Sequence, residues 1–281
     1  MELFDNHAHY NDEKFNEDRD EIIKSIHDSG VTKLISAGYS LESSIQGVEL
    51  SNKYNFIYTI VGISPNDIPG QVQDEDLEGK TVEEIKKLFT DCEIIVDKQL
   101  QEIENLAVSN KKVVAIGEIG LDYHWNKLNR EIQKRVFIKQ IELANKLNLP
   151  IVIHTREAVM DTLDILKNVC PTVKPGVFHC CPLNVELVKE ALKLGFYISF
   201  AGPVTFKNSK NAKEVAEMVP FDRMLIETDS PYLAPEPVRG TRNDSRNVKF
   251  VAEKLAEFKG VSVEDIAKCT YENALRVFAI K

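Results

Sequence analysis

A chain of 281 residues, 43% hydrophobic and 28% charged with Gly and Pro spread thinly, has a globular make-up and can bury a sizeable core as one large barrel or two modest domains. Its formal net charge of −9 argues against a protein that grips nucleic acid through a broad basic face, but less against a nuclease, because bound divalent ions offset a carboxylate-rich site. The start, MELFDNHAHYND, has no basic head with an apolar core, and no run approaches the roughly 18–20 apolar residues of a bilayer span, so a soluble cytoplasmic protein is expected.

In chain order, the apolar periodicity predicts a strand over 3–8, a helix over 13–28, and strands over 33–37 and 56–62. An acidic, glycine-containing stretch over 71–97 reads as an insertion after the third strand. Next come a strand over 113–117, a helix over 130–147, a strand over 150–153, a helix over 157–169 and a strand over 176–178. A helix over 185–194 and strands over 196–200 and 223–227 follow. The tail begins at Ser262, a plausible N-cap with Asp265 three residues on, and runs as an extra helix through Phe278, expected on the outside of the fold. Eight strands with helical crossovers fit an α/β architecture, a closed (β/α)8 TIM barrel, better than an open doubly wound sheet. Residues 1–281 are read as a single hydrolase domain of that kind.

The ligand-type side chains fall where such a barrel gathers chemistry. His7 and His9 close LFDNHAH, Glu118 follows VVAIG, His154 follows IVI, His179 follows GVF, and Asp229 lies just beyond MLIET. Each stands at the C-terminal end of a predicted strand, and in a barrel those ends share one face. Glu118 to His154 is 36 residues and His154 to His179 is 25, each about one βα unit, while His179 to Asp229 is 50, about two. Four of the chain's six histidines keep this register. The HxH pair is the strongest part of the pattern, since residues two apart on a strand project to one side and can grip one ion.

These imidazoles and carboxylates exceed what one tetrahedral ion needs, so two divalent ions are expected. Glu118 would bridge a site of His7, His9 and Asp229 to a second of His154 and His179, with the ions roughly 3.5–4 Å apart. Imidazoles suit zinc or manganese, while phosphoryl chemistry often runs on magnesium. Asp5 is a candidate for a supporting or capping carboxylate, His27 for a structural residue, and His124 for a substrate contact or an idle loop residue. Cys180 directly follows a proposed ligand and is a candidate for soft metal, but neighbours on a strand face opposite ways, so it is expected to be buried. The five cysteines, without CxxC spacing, read as reduced thiols.

DNHAH near the start, GEIGLDYHW, IVIHTREA, HCC after the sixth strand and ETDSPYLAP before RGTRN together closely resemble the TatD family of metal-dependent deoxyribonucleases, among the amidohydrolase-like barrels. The resemblance runs nearly from end to end. It implies a TIM barrel, a divalent-metal site, and exonuclease-type or general phosphodiesterase activity on DNA through a metal-activated hydroxide. Carried over position by position, it makes His7, His9, Glu118, His154, His179 and Asp229 the metal ligands. Glu118 and Asp229 are the catalytic candidates, Asp229 as proton acceptor because a ligand carboxylate keeps a free oxygen to face the water. Arg156, two residues past His154, is placed to fork onto phosphate, and Arg239, Arg242, Arg246 and Lys249 form one locally basic segment near the expected mouth.

Two motifs depart from the family pattern. A GxHPH-like turn after the third strand here reads Gly62, Ile63, Ser64, Pro65, Asn66, so Ser64 and Asn66 stand at the substrate where two histidines are usual. A HCF[ST]G-like run reads His179, Cys180, Cys181, Pro182, Leu183. Both bear on substrate positioning. The missing turn histidines, with the acidic balance, slightly favour a second reading, hydrolysis of an amide or ester in a small molecule or an aminoacylated RNA on the same barrel. A third reading, a catalytically idle protein whose metals only stabilise it, is disfavoured by the full ligand set. DNA is expected as substrate, with no membrane and no stable protein partner.

Overall fold

The computed structural model describes residues 1–70, 72–125 and 129–281. Gln71, the first residue of the expected insertion, lies outside them. Eight strands, β1 Leu3–Ala8, β2 Val31–Ala37, β3 Ile57–Val61, β4 Val113–Asp122, β5 Ile151–Arg156, β6 Val177–Phe178, β7 Tyr197–Phe200 and β8 Met224–Ile226, pair in parallel and in sequence order. The sheet closes where His9 N donates to Ser230 O at 2.6 Å and Asp229 N to His7 O at 2.9 Å, across a bridge between Ala8 and Ser230. This is the (β/α)8 barrel that the strand count predicts.

The helices α1 Arg19–Asp28, α2 Leu41–Lys53, α3 Val82–Ser109, α4 Arg130–Leu147, α5 Val159–Asp164, α6 Val185–Lys193, α7 Ala212–Met218 and α8 Val248–Lys259 alternate with the strands. The helix expected over 13–28 is broken: Glu13–Phe15 is a 3-10 turn capped by Asp12, and α1 starts at Arg19. Arg19 holds the break by donating from Nε to Tyr10 O at 2.6 Å. The helix expected over 157–169 starts later, because Glu157 is left-handed at φ 55°, and it ends in a π turn at Ile165–Val169. The extra length after β3 is taken up by a short turn, Glu75–Leu77, and by α3. That helix is capped reciprocally by Thr81 and Glu84 and continues to Ser109.

One apolar cluster draws on every strand, from Phe4, Ile35, Ile60, Ala115, Val152, Val177, Tyr197 and Leu225, and so forms the barrel interior. Ala274, Phe278 and Ile280 belong to it. The last helix, α9 Val263–Val277, is capped by Ser262 as expected but is not simply laid on the outside. Tyr271 meets Phe4 edge-on at 5.8 Å, and Asn273 donates to Met224 O at 2.9 Å. Both contacts lie at the starts of strands, so α9 stoppers that end of the barrel. The open end is left to the strand C-termini.

Candidate metal centre

β4 and β5 run further than expected, to Asp122 and Arg156, because their ladder continues with Gly120 opposite His154 and Asp122 opposite Arg156. Glu118 and His154 therefore lie within strands instead of just beyond them. Gly120 makes this possible. Its φ is 142°, and a Cβ there would stand 2.0 Å from His154 O, so only glycine lets the strands approach closely enough for Glu118 and Asp122 to flank His154.

The structure brings His7, His9, Glu118, His154, His179 and Asp229 into one cluster. Glu118 divides it: Oε2 lies 3.4 Å from His7 Nε2 and 3.7 Å from His9 Nε2, while Oε1 lies 2.9 Å from His154 Nδ1 and 3.4 Å from His179 Nε2. Asp229 joins the first pair, with Oδ1 3.2 Å from His9 Nε2 and 3.9 Å from His7 Nε2. Barrel closure puts it there, and its φ of 56° turns the chain sharply after β8, a conformation that Asp tolerates better than most residues.

Each histidine of the second pair is held from behind. His154 Nε2 lies 2.9 Å from Asp122 Oδ2, and His179 Nδ1 lies 3.2 Å from Glu227 Oε1. Glu227 also accepts from Cys180 N at 2.7 Å and from the Ser199 hydroxyl. Asp122 and Glu227 were not singled out in the sequence. Even spacing points to Asp122, since Glu118, Gly120 and Asp122 share one side of β4, whereas Glu227 lies past the end of β8, two residues before Asp229. Asp5 plays a capping part: it is fully buried and accepts from Thr228 N and the Thr228 hydroxyl, tying β1 to the segment after β8.

Burial opposes charge throughout the cluster, yet the opposed signs settle it. Burial works against ionising Glu118, but His179 and hydrogen bonds from the histidines hold its carboxyl well below the usual range. Burial likewise disfavours a charged His154, but Asp122 and Glu118 outweigh it and lift that ring to about 9. Asp229 stays below its ordinary value because His9 overcomes its burial. His7 goes the other way, lowered by burial and by His179 beside it. Its ring stacks on His179 at 4.0 Å. Both of its nitrogens are buried without a hydrogen-bond partner, the 3.4 Å approach to Glu118 lacking bonding geometry.

A neutral, buried, unpaired imidazole is costly unless a cation takes its lone pair. The donors here therefore fit divalent ions. Three triads, His7 with His9 and Glu118, Glu118 with His154 and His179, and His7 with His179 and Asp229, each place their ligand atoms within 4.8 Å of one another.

The cluster floors a cleft of about 540 Å³ whose rim includes Trp125, Arg156, Tyr232 and Leu233. Cys180, expected to be buried, is half-buried and lines this cleft. His124 stands outside the lining, exposed and 2.6 Å from Glu157 Oε1. Ser64 and Asn66 also differ from expectation. The Ser64 hydroxyl donates to Asp67 Oδ2 at 2.5 Å, and Asn66 Nδ2 donates to Asp122 Oδ2 at 3.1 Å. Both side chains brace the loop after β3, and Asn66 reaches the cluster only through Asp122. Arg242 and Arg246 are forked onto Asp18 and Asp244, so they offer less free positive charge than the sequence suggests. His27 lies on the surface of α1 against Phe56.

Comparison with known proteins defines the class first: the chain is a metal-dependent hydrolase. The family model described as TatD related DNase matches residues 4–279, and the chain belongs to that family. It is 41% identical over 278 residues to the "Uncharacterized metal-dependent hydrolase YabD" of Bacillus subtilis, covering 99% of each chain. It is 33% identical over 279 residues to a Methanocaldococcus jannaschii protein of the same description, covering 99% of this chain and 97% of that one. Among solved structures, a TatD homolog from Escherichia coli superposes with a TM-score of 0.82 at 23% identity, covering 99% of this chain and 98% of that one, which speaks to the fold.

Proposed function

We propose that this protein is a phosphodiesterase that cleaves DNA, most simply from a strand end, using two divalent ions of the zinc, manganese or magnesium type. The division of Glu118 carries this reading, because each of its oxygens serves a different histidine pair. His7, His9, Glu118 and Asp229 would hold one ion, and Glu118, His154 and His179 the other. When bound, such ions supply Lewis acidity and make water acidic enough to serve as a nucleophile near neutral pH. Asp229 is ionised and reaches the first pair, so it accepts the proton that water gives up. Arg156, exposed at the rim, binds the phosphate.

The test is the metal-stripped protein assayed on 3′- and 5′-labelled single-stranded DNA after adding back magnesium, manganese or zinc. Cleavage should return with metal, and elemental analysis should find two ions per chain; trace metal after equilibration would remove the site. Asp229→Asn should keep the fold and lose turnover on the order of 100-fold or more. The second reading, an amide or ester hydrolase of a small molecule or an aminoacylated RNA, draws on the loop after β3. Ser64 and Asn66 there are spent on Asp67 and Asp122 and bring no imidazole to protonate a leaving group. Turnover of amides or carboxylic esters without DNA cleavage under any metal would favour it.

A further inference from the structure

Three of the large hydrophobic side chains left exposed, Trp125 at 54%, Tyr232 at 43% and Leu233 at 37%, line the cleft above the histidine and carboxylate cluster. Apolar surface gathered at one polar site marks a place where a ligand is covered. Trp125 is the largest of these and stands just past β4. The Arg156 guanidinium lies over its ring, 5.2 Å from the centroid, and His124 meets it nearly perpendicular at 5.0 Å. Arg156 and His124 thus help to steady the indole at the rim, where 54% of the residue is exposed.

We propose that Trp125 is a specificity-determining residue of this cleft and stacks on a nucleobase of the strand whose phosphate Arg156 holds. The proposal rests on the phosphodiesterase reading. A flat indole suits any base, since every base has a π face. A planar guanidinium both anchors an aromatic ring and forks onto a phosphate oxygen pair. The two adjoining side chains therefore match two adjoining parts of one nucleotide. A carboxylic ester or amide substrate has no need of that pairing.

Trp125 is the only tryptophan of the chain, so its emission reports directly on the rim. The metal-loaded protein is titrated with a cleavage-resistant phosphorothioate oligothymidylate and with an abasic oligomer on the same backbone. Base-dependent quenching is expected, with little change from the abasic strand; equal quenching by both, or none by either, overturns the proposal. In steady-state assays Trp125→Ala should raise KM about 10-fold for a thymidine oligonucleotide, with kcat nearly unchanged, and Trp125→Phe should recover most of the loss. On an abasic substrate the Ala variant should match the parent protein. Equal losses on both substrates would reduce Trp125 to a structural residue. If the parent protein cleaves neither strand, the phosphodiesterase reading has failed, and the emission titration still decides whether a base stacks.

Discussion

His154 and His179 are each gripped at both ring nitrogens, by Glu118 in front and by Asp122 or Glu227 behind. A carboxylate behind an imidazole fixes which nitrogen carries the proton and makes the other a better donor to a cation. Asp122→Asn should therefore weaken divalent-metal affinity by about 10- to 100-fold while leaving the far-ultraviolet circular dichroism unchanged. Competition against a chromophoric chelator measures it, and undiminished affinity would remove Asp122 from the site. The clustered residues were legible in the sequence because each sits at the end of an apolar run. Asp122 and Glu227 are harder to find: the even spacing that links Asp122 to Glu118 carries meaning only once β4 is known to continue past residue 117, and Glu227 stands just beyond the end of β8. The partners of Ser64 and Asn66 are not legible for a related reason: Asp67 and Asp122 are brought to them by loop geometry that spacing does not carry.

At the scale of elements, the β4 and β5 pair sets the depth of the centre. The sequence pattern ended β4 at residue 117, since glycines and a charge interrupt the apolar run, and only pairing with β5 carries the strand on to Asp122. Gly120 is the point where that pairing is tightest. Gly120→Ala would force the strands apart at His154 or abandon the left-handed backbone, a strain of about 3 kcal/mol, with metal affinity falling alongside stability. Urea unfolding with and without metal reads both. An unchanged midpoint would mean that the strands part there at no cost. The broken start of α1 shows the same limit in reverse, because apolar spacing alone joined two pieces that Arg19 and Asp12 separate.

For the whole molecule, the barrel was legible from the count and spacing of strands, and the capped C-terminal helix from Ser262. The position of that helix was not, because an amphipathic pattern says which face is apolar and not what it covers. Phe278, 3% exposed, belongs to the interior cluster that draws on all eight strands. Phe278→Ala should cost about 3–5 kcal/mol, and its loss should lower the melting temperature of the entire barrel in one transition. A separate early transition confined to α9 would show that the helix is an appendage. The stopper also bears on how the protein is made. A ribosome releases residues 274–280 after every strand, so a nascent chain waits with a partly unsealed interior until the last helix arrives. Chaperone dependence during synthesis should then track the moment that α9 clears the exit tunnel, and not the moment when the eighth strand does.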